Sequence, residues 1–137
     1  MTDRELIRMA IAARKNAYVP YSHYAVGAAL IAGSGKVYTG CNIENAAYTP
    51  SNCAERTAIF KAVSEGERSV CKIAIVAAPE QLDAPLPAYA APCGVCRQVM
   101  TEFAEPSLPI LLARSEEEWV ETTLAELLPM SFSKKDL

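Results

Sequence analysis

Histidine is scarce in this chain, with one residue, His23, among 137. A catalytic pair of serine or cysteine with histidine would have to use that side chain, and no serine or cysteine lies in a recognisable nucleophile motif. We therefore expect His23 to be a surface residue of a loop. We expect other side chains to carry the chemistry of this protein.

A basic excess and a long apolar run are also missing. The formal net charge is -3, whereas domains that bind a phosphate backbone usually carry a basic patch, so we expect no nucleic-acid partner. No apolar run approaches the roughly 18 residues of a membrane span, and the N-terminus is charged, unlike a signal peptide. The sequence predicts a cytoplasmic protein that does not bind a membrane.

Disulfides are not expected either, because the number of cysteines is odd and cytoplasmic thiols are mostly reduced. The chain has five cysteines and 51% apolar residues. We find no internal repeat and no linker, so residues 1–137 are predicted to form a single domain. A chain of this length buries about two-thirds of its unfolded surface without a covalent crosslink.

Hydrophobic periodicity and turn residues give the order α-β-β-loop-α-β-loop-α-β-β-α. A capping box at Thr2 and Glu5 begins the first helix. We predict helices over about 3–17, 53–65, 93–104 and 123–128, strands over 25–32, 36–41, 71–78, 108–113 and 117–122, and long loops over 42–52 and 79–91. This order indicates an α/β fold, with one mixed five-stranded sheet and helices on both faces.

Three cysteines in two clusters indicate a metal site. Cys53 and the pair Cys93 and Cys96, spaced C-x-x-C, fall at predicted helix N-termini, where free N–H groups favour thiolates. Three thiolates leave a tetrahedral zinc ion one open position for water, as in catalytic sites. Glu55 could then carry protons, and Arg56 could hydrogen-bond a sulfur and offset the negative charge of the cluster.

Two other interpretations of these cysteines remain open. A redox C-x-x-C motif also begins helices, but it accounts for neither Cys53 nor Glu55. A closed structural zinc site would need a fourth ligand from Cys41, Cys71 or His23. We expect Cys41 and Cys71 to be small core residues, because each lies at an end of a predicted strand.

Three segments together resemble the small, homotetrameric, three-cysteine type of cytidine deaminase: residues 41–48 (CNIENAAY), 53–58 (CAERTA) and 92–98 (PCGVCRQ). The resemblance runs from the first helix to residues 126–129. It implies hydrolysis of cytidine and deoxycytidine to uridine and deoxyuridine with release of ammonia, a reaction of pyrimidine salvage. Zinc-activated water would attack C4 of the base, and Glu55 would move protons to N3 and to the leaving amino group.

The resemblance also implies how a nucleoside is held. Asn42 and Glu44 match positions that bind the ribose hydroxyls, and Tyr24 stands where a phenylalanine commonly stacks on the base. Tyr48 and Phe132 match residues that reach a neighbouring subunit's site, which fits a homotetramer with shared active sites. The implied substrate-binding set is Tyr24, Asn42, Glu44, Tyr48, Ala54 and Phe132.

Two features depart from the family pattern. The loop 79–91 is long for this family, and Met130 lies where a glycine is usual. A related alternative is a deaminase of modified nucleosides or nucleoside antibiotics, which would keep zinc and Glu55 but change the ribose loop, although Asn42 and Glu44 favour an ordinary sugar. An enzyme that edits nucleic acids is disfavoured by the acidic charge.

Overall fold

Five strands and four α-helices make up the computed structural model, which describes residues 1–137. The helices are α1 (Asp3–Arg14), α2 (Ala54–Ser64), α3 (Gly94–Phe103) and α4 (Leu124–Leu127), followed by a short 3-10 turn at Lys134–Asp136. The strands are β1 (Tyr24–Ala32), β2 (Val37–Cys41), β3 (Val70–Pro79), β4 (Pro109–Ser115) and β5 (Glu118–Thr123). The predicted order of elements is confirmed.

One mixed sheet contains all five strands, in the order β2-β1-β3-β4-β5. Strands β3 and β4 are parallel, and the other neighbouring pairs are antiparallel. The parallel pair requires a crossover connection, and α3 lies in it. The connection also includes the long loop, so the loop and the start of α3 lie near the carboxyl end of β3.

Alternate residues of the central strands face two separate cores. One cluster joins Ile73 and Ile75 of β3 to residues of α2 and α3, and the other joins Ala74 and Val76 to residues of α1. Since successive side chains of a strand point to opposite faces, α1 covers one face and α2 with α3 covers the other. The predicted helices on both faces are confirmed.

Helix α1 is shorter than its periodicity indicates. Thr2 and Glu5 form the predicted capping box, but the helix ends at Arg14 rather than near residue 17. The amides of residues 15–17 donate to carbonyls three residues back instead of four. Tyr18 then forms a bridge with Ile43, so a tertiary contact ends the helix before Pro20 is reached.

Two glycines allow α1 and α2 to lie close to the sheet. An ideal Cβ on Gly27 would lie 2.1 Å from the carbonyl oxygen of Ala10, and one on Gly40 would lie 2.6 Å from the backbone of Ala54 and Ala58. Real Cβ atoms do not approach this closely, so each position requires glycine. Gly40 thereby brings the first turn of α2 directly against β2.

The long loop is anchored rather than loose. Leu86 is 1% exposed, its amide donates to the backbone carbonyl of Arg114 in β4, and its carbonyl accepts from the side-chain Nε of Arg114. Ala90 and Ala91, near the end of the loop, reach the candidate active site.

One expectation about the cysteines was wrong: Cys71 at the start of β3 is exposed, not a core residue. None of the helices combines the length and apolar composition that a membrane crossing needs.

Candidate active site

Two helix starts position the candidate metal ligands. Cys53 is the N-cap of α2 (φ -78°, ψ 157°), and Cys93 is the N-cap of α3 (φ -67°, ψ 166°). Both residues have extended backbone, while their carbonyls already accept the first helical hydrogen bonds, from Thr57 and Arg97. The predicted cap position of Cys53 is confirmed, and it lets Cys53 and Glu55 serve one site although they are two residues apart.

The sulfur atoms of the three cysteines form one compact group. The Sγ atoms of Cys53, Cys93 and Cys96 all lie within 4.8 Å of one another. Cys53 is 3.7 Å from Cys93, and Cys93 is 3.5 Å from Cys96. Thiolates bound to one tetrahedral zinc ion at about 2.3 Å lie about 3.8 Å apart, so this donor set fits zinc.

No fourth protein ligand joins the group. Cys41, Cys71 and His23, the residues that a closed structural site would need, lie outside the cluster. His23 is an exposed loop residue, as expected, and its Nδ1 lies 2.8 Å from a carboxylate oxygen of Glu80. With three protein ligands, a tetrahedral ion keeps a position for water or substrate, which distinguishes catalytic from structural zinc sites.

Hydrogen bonds favour a thiolate at Cys53. The Cys96 thiol and then Arg56 stabilise the charged form, and together they lower the pKa of Cys53 to about 5 despite its partial burial. The Nη2 of Arg56 lies 3.3 Å from the sulfur. Cys96 is completely buried, and the proton that it shares with Cys53 raises its own pKa. Arg56 therefore has the contact with sulfur that its sequence position predicted.

Glu55 is a buried carboxyl group beside this cluster. Its side chain lines the cleft, and the residue is 4% exposed. Burial is the largest effect and raises the pKa of Glu55 to about 7, with a smaller contribution from the Cys53 thiolate and an opposing one from Arg56. A carboxyl group with a pKa near neutral can both accept and donate a proton at physiological pH.

A cleft of about 390 Å³ is lined by Glu55, Cys53 and Cys93. Its volume falls in the range of small-molecule sites. Predicted substrate residues Tyr24, Asn42 and Glu44 line it, together with Ser22 and the rim residues Ala90 and Ala91. The structure thus brings the implied sugar and base residues to the same cleft as the metal cluster.

Three other predicted residues do not line this cleft. Ala54 is fully buried at the first position of α2. Tyr48 is 72% exposed with its ring against the edge of Tyr21, and Phe132 is 63% exposed in the C-terminal tail. The carbonyl of Phe132 accepts a hydrogen bond from Gln98, so α3 holds the backbone of the tail at this point.

Hydrogen bonds within the chain orient the sugar-binding candidates. Asn42 accepts from the amide of Val26 at 2.9 Å and donates to the carbonyl of Tyr24 at 2.8 Å. Glu44 accepts from the amides of Tyr21 and Ser22, both at 3.1 Å, and from the Ser22 hydroxyl. The Ser22 hydroxyl is the first cause that lowers the pKa of Glu44, so this carboxylate stays charged.

A larger groove of about 600 Å³ lies elsewhere, between the end of α3, the start of β4 and the C-terminal tail. It mixes basic side chains (Arg68, Lys134) with acidic ones (Glu102, Glu105), and it holds none of the three clustered cysteines. The smaller cleft is therefore the candidate active site, because the perturbed carboxyl group and the metal-ligating sulfurs converge there.

The part of the chain that contains this site matches a known protein family. Residues 1–111 match the model described as the cytidine and deoxycytidylate deaminase zinc-binding region. The chain belongs to this deaminase family. The matched segment includes the three cysteines of the cluster, and their geometry fits the ion, so zinc is the cofactor of this deaminase. Membership also decides against the redox interpretation of the C-x-x-C pair.

Individual relatives of the deaminase match over nearly their whole length. A cytidine deaminase of Sporosarcina psychrophila is 52% identical over 137 residues, which cover all of this chain and 96% of that protein. One from Halalkalibacterium halodurans is 49% identical and covers 98% of both chains. The crystal structure of cytidine deaminase from Burkholderia pseudomallei superposes with a TM-score of 0.85 at 45% identity, over 96% of this chain and 100% of that one.

Proposed function

We propose that this protein hydrolyses cytidine and deoxycytidine to uridine and deoxyuridine, with release of ammonia. The observation that carries the proposal is a buried carboxyl group, Glu55, next to a three-thiol cluster with an open ligand position at the base of a nucleoside-sized cleft. The relatives named cytidine deaminases support the same substrate class.

Each residue around the metal has a separate role in this proposal. Cys53, Cys93 and Cys96 would hold zinc, and the bound ion would supply the activation of a water molecule at neutral pH. Glu55 accepts a proton from that water and passes it to N3 of the base. A second proton moves through Glu55 to the departing amino group, so that water and cytidine yield uridine and ammonia. The pKa of Glu55, raised to about 7, suits a group that carries protons in both directions.

Arg56 acts on the metal ligands rather than on the substrate. Three thiolates place a large negative charge around one divalent ion, which weakens the ion as an electrophile. The guanidinium contact with the sulfur of Cys53, at 3.3 Å, offsets part of that charge. We infer that Arg56 keeps an all-cysteine zinc site reactive.

The substrate is held at its sugar and at its base. In the proposal Asn42 and Glu44 bind ribose hydroxyls, since an amide and a carboxylate together offer a donor and acceptors to neighbouring hydroxyl groups. The ring of Tyr24 stacks on the base, and Ala54, whose side chain is buried, contributes through the backbone of the first turn of α2.

Neighbouring subunits complete the site in a homotetramer. The proposal gives this task to Tyr48 and Phe132, because both rings are largely exposed in the single chain and neither lines its own cleft.

We also propose that the enzyme works in the cytoplasm, in salvage of pyrimidine nucleosides. Its five free cysteines suit a reducing compartment.

An ultraviolet assay of deamination tests the function directly. Purified protein is mixed with cytidine, deoxycytidine and cytosine, and zinc is measured by elemental analysis. We expect conversion of both nucleosides and about one zinc per chain. Protein that contains zinc but converts neither nucleoside would contradict the proposed substrate. Activity on a modified cytosine nucleoside in that case would point to the antibiotic-type alternative.

A further inference from the structure

Ser22 connects the two parts of the cleft that hold a nucleoside in the proposed function. Its hydroxyl donates to Oε2 of Glu44 and accepts from the backbone amide of Tyr24 at 3.0 Å. Its own backbone amide donates to Oε1 of the same carboxylate. One small side chain therefore contacts the sugar-binding candidate and the backbone of the base-stacking candidate.

The acceptor capacity of Glu44 is mostly used by this chain. An ionised carboxylate offers about four lone-pair positions. The amides of Tyr21 and Ser22 take two positions on Oε1, and the Ser22 hydroxyl takes one on Oε2. One acceptor position is left, and it belongs to Oε2, the oxygen that Ser22 holds.

Asn42 shows the same partial use of its hydrogen-bonding groups. Its Oδ1 accepts from Val26, and its Nδ2 donates one hydrogen to the Tyr24 carbonyl, which leaves one donor and one acceptor position free. Tyr24 thus has its amide bound by Ser22 and its carbonyl bound by Asn42. Both residues that fix the backbone of Tyr24 also line the sugar part of the cleft.

We propose that Ser22 is a positioning residue that sets the recognition of the sugar, because it holds Glu44 with a single acceptor position left for a substrate hydroxyl. This inference rests on the proposed function. Without the Ser22 hydroxyl, Oε2 loses its partner and the carboxylate rotates more freely about its side-chain bonds. A sugar hydroxyl then meets a less ordered acceptor, while the zinc cluster and Glu55 are unchanged.

The test compares Ser22→Ala with Ser22→Thr, on cytidine and on 2′,3′-dideoxycytidine. We expect Ser22→Ala to raise KM for cytidine about tenfold, the size of a hydrogen bond to a charged group, with kcat changed less than about twofold. Ser22→Thr keeps a hydroxyl and should restore most of the affinity. Ser22→Ala should not raise KM for dideoxycytidine, because this nucleoside lacks the sugar hydroxyls that Glu44 would bind.

Ser34→Ala is a matched control. The Ser34 hydroxyl donates to Oε2 of Glu67 and accepts from the amide of Lys36, the same two kinds of contact, in the turn between β1 and β2 away from the cleft. It should leave KM and kcat unchanged. Zinc content and the midpoint of thermal unfolding show whether each variant is folded.

The outcomes separate this inference from the function on which it rests. Wild-type protein that does not deaminate cytidine overturns both. If the wild type is active, two results with Ser22→Ala overturn the Ser22 assignment alone. Either the KM of the variant for cytidine equals that of the wild type, or its kcat/KM falls by the same factor on cytidine and on dideoxycytidine. A fall in kcat that Ser22→Thr does not restore would also overturn it.

Discussion

Single residues in this cleft have properties that their neighbours impose. Glu55 lies one residue inside the start of α2, where the fold buries it. Removal from water disfavours the charged carboxylate, and the nearby thiolate adds to the effect. Glu44, only 11 positions earlier in the chain, shows the opposite shift because backbone and hydroxyl donors stabilise its charge. Two carboxyl groups in one cleft thus suit different tasks, proton transfer and sugar binding.

Replacement of Glu55 by glutamine tests the proton-transfer role. Glutamine keeps the size and polarity of the side chain but cannot carry a proton, so Glu55→Gln should fold and keep about one zinc per chain. Its rate should fall by about 10²–10⁴-fold, the usual contribution of a general acid or base. The control is Glu65→Gln, at the exposed end of the same helix. Near wild-type formation of uridine by Glu55→Gln would show that another group moves the protons.

Elements position the metal ligands through close packing. Helix α2 begins at a site where β2 presents Gly40 with no side chain between the two backbones. Helix α3 begins where Arg97 donates to the carbonyl of Pro92 at 2.7 Å and to that of Leu127 at 2.6 Å. The close packing at Gly40 fixes the position of Cys53, and the hydrogen bonds of Arg97 fix the position of Cys93. The spacing of the sulfurs therefore depends on the position of two helices.

A methyl group at position 40 should disturb this arrangement. Gly40→Ala would place a Cβ 2.6 Å from the backbone of Ala54 and Ala58, and backbone cannot yield as a flexible side chain can. We expect a loss of about 1–3 kcal/mol in the free energy of unfolding, measured with urea, and weaker zinc retention against a chelator. Gly94→Ala is the control, since an ideal Cβ there has no neighbour within 4 Å. Equal unfolding midpoints for the two variants would contradict this account.

Arg14 joins α1 to the end of the sheet near the long loop. The residue is 7% exposed, and its guanidinium donates to the carbonyls of Ala25, Ala78, Pro79 and Leu82. Arg14→Met fills a similar volume but leaves these acceptors without their donor. We expect a loss of roughly 2–4 kcal/mol in the free energy of unfolding, since two buried and two partly buried carbonyls lose this donor.

Arg8→Met is the matched control for that experiment, because Arg8 lies on the same helix and makes an exposed ion pair with Glu116. Exposed pairs contribute little to stability. The urea midpoint of Arg8→Met should therefore stay close to that of the wild type. If both variants lose the same stability, the four carbonyl contacts of Arg14 are not what holds this end of the sheet.

The whole molecule leaves several aromatic rings in water when it is a single chain. Tyr18, Tyr21, Tyr48 and Phe132 are all about half exposed or more. Such rings are enriched at protein interfaces, where their apolar surface is buried. In the proposed homotetramer Tyr48 and Phe132 lie between subunits, and the mass in solution should be about four times the 14.8 kDa of one chain.

Mixed tetramers test whether Phe132 acts in a neighbour's site. Glu55→Gln and Phe132→Ala should each have low activity when purified alone. Refolded together, a Phe132→Ala chain supplies Glu55 while its neighbour supplies Phe132, so some sites become complete. We expect the mixture to recover a measurable part of the wild-type rate. No recovery, with mixed tetramers verified by mass spectrometry of differently tagged chains, would place Phe132 in the site of its own chain or outside any site.

Local sequence determined most of the secondary structure and the identity of the metal cluster. The capping box at Thr2, the alternation of the strands and the glycine after α2 all act within a few residues, so they can be recognised without the fold. The cysteine spacing and the chemistry of three thiols also belong to the residues themselves. For the same reason the resemblance to the deaminase family could be stated from three short segments.

Tertiary structure decided the features that depend on distant parts of the chain. Helix α1 ends at Arg14 because Tyr18 bridges to Ile43, a contact that helical periodicity does not encode. Cys71 is exposed although its strand is buried, and Ser22 contacts Glu44 across 22 positions of sequence. Burial and hydrogen-bond partners, which shift the pKa values of Glu55 and Glu44 in opposite directions, exist only when the chain has folded. The residues define which chemistry is available, and the packing of two helix starts against one sheet brings that chemistry into a single cleft.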